Sequence, residues 1–264
     1  MSVLRLIQFT DPHLYGNELE MLRGIATLPA LKAALADAQS STRWPPNAVL
    51  VTGDIVQDDP GGYAHLRRVL GSLGLPVLCI PGNHDEPQAM RRELAGEPFV
   101  LDAVVDFSHW RIVQLDSSVP GSASGRLSPQ SLRQLETALQ SAQGRHCLVC
   151  LHHHPVPMSS RWLDQVGLEN ATEFLATLDR HRNVRAVLWG HVHQAYDGLR
   201  KDVRLLGTPS TCAQFLPHAD DFALDRRPPA YRTLELRADG SVLTEVMWVE
   251  KRAAGSSRSA CSAA

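Results

Sequence analysis

Five short apolar runs, each ending abruptly in a small cluster of Asp, Asn, His and Gly, constrain this chain more than anything else in it. Leu4–Phe9 runs into Thr10-Asp11-Pro12-His13, and Ala48–Val51 runs into Thr52-Gly53-Asp54. Val77–Ile80 meets Pro81-Gly82-Asn83-His84-Asp85. Leu148–Leu151 stops at His152-His153-His154-Pro155, and Ala186–Trp189 at Gly190-His191-Val192-His193. Runs this short, apolar on both sides of the chain, suit strands buried on both faces. Helical patterns lie between them. Leu22, Ile25, Leu31 and Leu35 share one helical face, as do Leu66, Val69, Leu70 and Leu73. Ser128-Pro129 supplies an N-cap and N1 proline ahead of Leu132, Leu135 and Leu139, and Asn170 with Glu173 has the form of a capping box. Strand and helix alternate, which predicts a layered α/β architecture.

In the last third, Val203–Thr208 and Tyr231–Val249 alternate like half-exposed strands, with Asp239-Gly240 as a hairpin turn. A mixed sheet closed by antiparallel strands follows. Between them, residues 210–230 form a long irregular stretch, the kind that in a compact domain often carries function. Residues 1–252 read as one domain, and the low-complexity residues 253–264 as a disordered tail.

Composition excludes several classes. With 264 residues, 44% apolar and 20% charged, the chain can build a core without staples, which rules out wholesale disorder. A net charge of −2 leaves no basic footprint for nucleic acid. No apolar run approaches the roughly 20 residues of a membrane span, and the N-terminus goes straight into a strand rather than a signal peptide. Five cysteines, an odd number with three of them inside apolar strand-like runs, read as free thiols in a reducing cytoplasm.

Ligand-type residues at five strand ends face one crevice in an open α/β sheet. Alone, any of these Asp or His residues would be a helix cap or a hydrogen-bonded turn residue; five in order, each at the same place relative to its strand, are not explained that way. Mixed carboxylate, imidazole and amide donors suit Mn, Fe or Zn. They exceed what one tetrahedral ion needs, so two ions are expected. Two ions about 3.5–4 Å apart need a bridging group, and Asp54 is the candidate.

The motifs Asp11-Pro12-His13, Gly53-Asp54 with Asp58, Gly82-Asn83-His84-Asp85, His152-His153 before Pro155, and Gly190-His191-Val192-His193 resemble those of the calcineurin-like metallophosphoesterases. Their order and spacing look most like the bacterial class III cyclic nucleotide phosphodiesterases. Trp162-Leu163-Asp164, Thr208-Pro209-Ser210-Thr211-Cys212 with Gln214-Phe215, and Tyr231-Arg232-Thr233-Leu234-Glu235-Leu236 extend the resemblance to about residues 3–250. It implies an α/β/β/α fold of mixed sheets flanked by helices, with the site at the strand C-terminal ends. It implies one metal on Asp11, His13 and His193, a second on Asn83, His152 and His191, and Asp54 shared. His152 directly follows its strand; His153 is the alternative ligand, and His154 stands where many relatives have proline. The metals would be Fe or Mn, with Zn or Co as substitutes.

The implied activity is hydrolysis of 3′,5′-cyclic AMP to 5′-AMP by a metal-activated hydroxide. His84 would be the general acid or a phosphate ligand, oriented by Asp58 or Asp85, and His13, Asp54, Asn83, His84 and His193 would meet the substrate. A 2′,3′-cyclic nucleotide or glycerophosphodiester substrate is the alternative, and a metal-binding scaffold without turnover the less favoured one. The expected partner is the small-molecule substrate alone, without nucleic acid, membrane or obligate protein partner, as a monomer or homodimer.

Overall fold

A computed structural model describes residues 3–249. The proposed tail at 253–264, and Cys261 within it, lie outside the described residues. Twelve strands form two six-stranded sheets: β1 (Val3–Phe9), β2 (Ala48–Thr52), β3 (Val77–Ile80), β4 (Phe99–Val100), β5 (Val104–Asp106), β6 (Trp110–Gln114), β7 (His146–Cys150), β8 (Val184–Trp189), β9 (Tyr196–Arg200), β10 (Val203–Gly207), β11 (Ala230–Arg237) and β12 (Val242–Trp248). The first sheet has the order β12-β11-β1-β2-β3-β4 and the second β9-β10-β8-β7-β6-β5. Strands β1 to β4 pair in parallel, with β11 and β12 added antiparallel. In the second sheet β6, β7, β8 and β10 are parallel and β5 and β9 are antiparallel edges.

Alternation along the strands divides the core into three. Ile7, Phe9, Val49, Val51, Val77 and Cys79 point outward against helices α1 (Thr27–Ser40), α2 (Gly62–Leu70) and α3 (Pro87–Glu93). Their neighbours Leu6, Leu50, Leu78 and Ile80 point inward and meet Ile112, Leu148, Cys150 and Leu188 of the second sheet. On that sheet's other face, Val113, Val149 and Val187 pack under α4 (Pro129–Gln140), α5 (Arg161–Asp164) and α6 (Ala171–Leu178). The result is helix, sheet, sheet, helix. Each buried strand carries one apolar set for a helix layer and one for the opposite sheet, which is why its run is apolar on both faces.

Two local expectations are corrected. Leu22 and Ile25 are not helical: they pair across a two-residue turn, Arg23-Gly24, both at positive φ (52° and 82°), before α1 begins at Thr27. That is the geometry a type I′ hairpin demands. Asn170 does not cap α6; its side chain accepts from Leu127 N–H and donates to Leu127 C=O, both at 3.0 Å, so it is spent on a neighbouring loop. The Ser128 cap is present, accepting from Ser131 N–H at 3.0 Å. The Asp239-Gly240 turn closes β11 onto β12 with Gly240 at φ 86°. Cys79, Cys147, Cys150 and Cys212 are buried free thiols.

The interior seam is also tied by polar groups. Arg232 on β11 is almost fully buried and donates to Thr208 Oγ1 (2.9 Å) and Gly207 C=O (2.8 Å) where β10 ends, and to Thr244 Oγ1 (3.1 Å). Gln8 on β1 continues the chain of contacts to Thr52 Oγ1 and Thr208. No helix among the described residues is long and apolar enough to cross a membrane.

Candidate metal centre

Parallel register brings the strand ends level. Phe9 lies opposite Val51, and Thr52 opposite Ile80, so the residues after β1, β2 and β3 emerge side by side. Cys150 pairs with Leu188, which does the same for the segments after β7 and β8. The two sheets face each other, so these five ends surround one place. Asp11, His13, Asp54, His152, His191 and His193 are all buried there, and Asn83 is half-buried.

Backbone conformation aims the side chains. Asp11, His13, Asp54, His191 and His193 all adopt left-handed φ between 47° and 65°. Such conformations cost non-glycine residues about 1–3 kcal/mol each and persist where the surroundings enforce them. Here Asp11 N–H donates to Gly53 C=O (3.1 Å) and His13 N–H to Asp54 C=O (3.0 Å), locking the turns after β1 and β2 together. Gly53 itself sits at φ 95°, and a Cβ there would run into the His152 ring. Gly53 thus serves a tight turn packed against that ring. Gly82 has another role: its φ is not left-handed, but a Cβ would strike the Asp54 carboxylate.

Ring nitrogens and carboxylate oxygens converge on one another. His152 Nδ1–H donates to Thr52 C=O (2.8 Å), which turns its Nε2 toward Asp54 Oδ1 (3.3 Å) and Asn83 Oδ1 (3.3 Å). His193 Nδ1–H donates to Ala213 C=O (2.6 Å), and its Nε2 faces Asp11 Oδ1 (3.3 Å) and His13 Nε2 (3.1 Å). His191 gives Nε2–H to Val166 C=O (3.0 Å), leaving Nδ1 for the cluster, while its backbone N–H binds both Asp11 oxygens (3.0 and 3.1 Å). Carbonyl groups behind each imidazole are the arrangement that orients metal-binding histidines. Acceptors packed this closely are satisfied by a cation, so the residues present fit metal ions.

The donor groups overlap, with Asp11, His13, Asp54 and His152 each belonging to two of them. Donor atoms of Asp11, His13 and His193 lie within 4.8 Å of one another, as do those of Asp11, Asp54 and His152, and those of His13, Asp54 and His84. A further such group joins His152, His153 and His191. His153 stands away from the carboxylates: its Nδ1 meets Ser117 Oγ at 2.8 Å and its Nε2 has no hydrogen-bond partner. Of the triple histidine, the structure brings His152 next to Asp54 and Asn83.

Electrostatics follows from burial and those neighbours. Burial pushes His13 down to about 4 despite Asp54 and Asp11, and pushes His191 and His153 well below the usual imidazole range, with His152 and His154 adding to it. They are neutral rings, the form that binds metal. Burial also acts downward on His152, but Asp54, and Asp11 behind it, carry it up to about 9. Asp54 is held well below the carboxylate range by His152 and His13, against the upward effect of burial. In the metal-free chain an imidazolium balances the carboxylates.

Around this cluster, His84 is about one-third exposed, with Nδ1 3.0 Å from Asp58 Oδ2 and 2.9 Å from the Gln57 amide. Of the two carboxylates expected to orient it, Asp58 is the one in contact. Asp85 instead takes the backbone N–H groups of Gly82 (2.8 Å), Ile55 (3.0 Å) and Val56 (3.3 Å) and the Tyr63 hydroxyl (2.8 Å), binding the loops after β2 and β3. Several further residues support the cluster, though no role was assigned to them from the sequence. Thr10 Oγ1 donates to Asp11 Oδ2 (2.6 Å), Ser210 Oγ to Asp11 C=O (2.7 Å), and Phe215 stacks on His193 at 4.0 Å between ring centroids. Thr10 closes an apolar run beside Asp11, and Ser210 and Phe215 lie in segments that carry the family resemblance. The irregular stretch from Ser210 is therefore packed onto the centre rather than merely over the sheet.

The calcineurin-like phosphoesterase family model matches residues 4–195, which contain every strand end just described. The chain belongs to that family. This phosphoesterase is 40% identical over 251 residues to the 3′,5′-cyclic adenosine monophosphate phosphodiesterase CpdA of Pseudomonas aeruginosa, covering 94% of this chain and 91% of the relative. It is 40% identical to CpdA of Escherichia coli K12, covering 92% and 89%. A 3′,5′-cyclic-nucleotide phosphodiesterase of Nostoc is 34% identical, covering 92% and 91%. Among solved structures, a dimetal phosphatase from Danio rerio superposes with a TM-score of 0.65 at 15% identity, covering 94% of this phosphoesterase and 99% of that chain. At that identity the likeness bears on the fold.

Proposed function

We propose that this phosphoesterase hydrolyses 3′,5′-cyclic AMP to 5′-AMP. The observation that carries the reading is the convergence of Asp11, His13, Asp54, Asn83, His152, His191 and His193 on one buried place, in a chain 40% identical over 94% of its length to a cyclic AMP phosphodiesterase. Asp11, His13 and His193 would hold one ion and Asn83, His152 and His191 the other, with Asp54 reaching both. Bound there, iron or manganese ions, or zinc or cobalt in their place, supply positive charge that polarises the phosphate and acidifies water.

The chain's own groups do the rest. Asn83 and His84 border the space where a phosphodiester would lie, and their N–H groups would neutralise charge on its oxygens, while His13, Asp54 and His193 would act on it through the ions they hold. Opening the cyclic ester leaves an alkoxide at O3′ that needs a proton. His84 follows Asn83 directly and is fixed in orientation through Asp58 and Gln57, so it donates that proton. The site collects no basic stripe, and a small cytoplasmic nucleotide needs none.

The test is steady-state turnover by metal-free protein reconstituted with manganese or iron, on cyclic AMP, 2′,3′-cyclic AMP and glycerophosphocholine. Preference for cyclic AMP, abolished by Asp54→Ala, is the expected result. Activity confined to either other ester overturns the substrate, and metal uptake without turnover on any of them overturns catalysis.

A further inference from the structure

A cleft of about 760 Å³ opens beside the metal centre, and Asn83 and His84 form its inner wall. The size lies within the range of about 300–1,000 Å³ in which small-molecule sites usually fall. Val119 and Pro120 form another part of its wall. That wall is fixed rather than loose: Ser122 N–H donates to Val119 C=O at 3.0 Å, with Pro120 and Gly121 (φ 74°) where a type II turn requires them. Its root is pinned as well, since Ser117 Oγ meets His153 Nδ1 and Asp116 takes the Ser118 N–H (2.9 Å) and hydroxyl. This gives buried His153 a use, holding the cleft wall against the segment that carries His152.

The charge of the cleft is one-sided. Asp58 and Glu86 stand on its exposed rim, and no lysine or arginine among the described residues lines it. A second phosphate placed there would meet carboxylates with no cation to offset them. An uncharged group with apolar faces and hydrogen-bond donors at its edges would meet proline, valine and acceptors. We infer that this cleft binds the neutral nucleoside end of a cyclic phosphodiester whose single charge lies at the metal centre, and that Asp58 and Glu86 discriminate against substrates carrying a second phosphate. The inference rests on the proposed reading of the site as a cyclic nucleotide phosphodiesterase, and it deepens that reading by placing the base and ribose.

Two readouts on metal-reconstituted protein test it. The first is calorimetric binding of adenosine, a probe that needs no turnover. The second is the ratio of kcat/KM for the dinucleotide pApA to that for cyclic AMP. Val119→Asp, on a half-exposed turn, is expected to weaken adenosine tenfold or more, and Val119→Ala to do so to a lesser degree. Glu86→Lys, at an exposed position, is expected to raise the pApA to cyclic AMP ratio at least fivefold. Adenosine binding unchanged in both Val119 variants, or a ratio unmoved by Glu86→Lys, overturns the inference. So does a wild-type protein that hydrolyses cyclic AMP but binds no adenosine at millimolar concentration. If cyclic AMP is not a substrate while adenosine binding still depends on Val119, the substrate reading falls and the nucleoside cleft stands.

Discussion

At the scale of single residues, the centre is built from side chains whose backbones sit where only glycine is comfortable. Asp11, His13, Asp54, His191 and His193 carry left-handed φ because the turns must reverse within two residues to aim alternate side chains inward. His84 does not share that conformation, and its partners Asp58 and Gln57 lie outside the donor cluster. Removing its ring should therefore leave the ligand set whole. His84→Ala is expected to keep wild-type metal content by elemental analysis while kcat on cyclic AMP falls by about 10²–10⁴. A diester with a nitrophenolate leaving group, which departs without a proton, should lose far less. An equal loss on both esters would remove the proton-donor role and leave His84 as a phosphate contact. Asp11, His13 and Asp54 were legible because each follows an apolar run by a fixed few residues. Phe215 and Ser210 entered only through the resemblance, and their contacts were not legible, since those to His193 and Asp11 span more than 20 residues of sequence and leave no local pattern.

Elements act through what joins them. Arg232 stands on β11 of one sheet and satisfies Gly207 C=O and Thr208 Oγ1 at the end of β10 in the other, fixing where the segment over the site begins. Arg232→Ala would leave those acceptors buried and unpaired, at a cost of about 1–3 kcal/mol; a lower urea midpoint at unchanged slope would register it. Asp179, just past α6, binds Arg200 and Lys201 at the β9–β10 hairpin, with Lys201 Nζ at 2.7 Å. Those cations hold its carboxyl well below its ordinary value of 3.8. A depressed folded-state value means the contribution is complete above pH 3.8 and is lost as the pH falls below it. Asp179→Asn should thus cost about 0.2–1 kcal/mol at pH 7, as exposed ion pairs do, and the difference from wild type should close in unfolding curves taken between pH 4 and 2. Strands β1, β2, β3, β7 and β8 were readable as short apolar runs and β10 to β12 as alternating ones, while β4, β5, β6 and β9 were not read from the sequence. The division of the strands between two sheets was not legible, because a run apolar on both faces has no period to show which face meets a helix. Arg23-Gly24 and Asn170 misled for local reasons: a two-residue turn interrupted a helical spacing, and a capping amide was taken by Leu127.

On the scale of the whole molecule, the centre straddles the seam between the sheets. Asp11, His13, Asp54 and Asn83 follow strands of the first sheet, and His152, His191 and His193 follow strands of the second. Metal ions bound there would tie one sheet to the other and stabilise the folded chain by mass action, by about 2.7 kcal/mol at a hundredfold excess over Kd. Chelation should lower Tm by about 5–10 °C, manganese should restore it, and Asp54→Ala should respond to neither. A Tm indifferent to chelator in the wild type would mean that no ion bridges the seam. The division of donors also sets a clock. Neither sheet alone carries a full complement for even one ion's neighbourhood, so a bound ion cannot outlast the contact between the two sheets. Its residence time is a lower bound on the interval between their separations, and isotope exchange of the metal would time a breathing motion of the interior without any label on the protein.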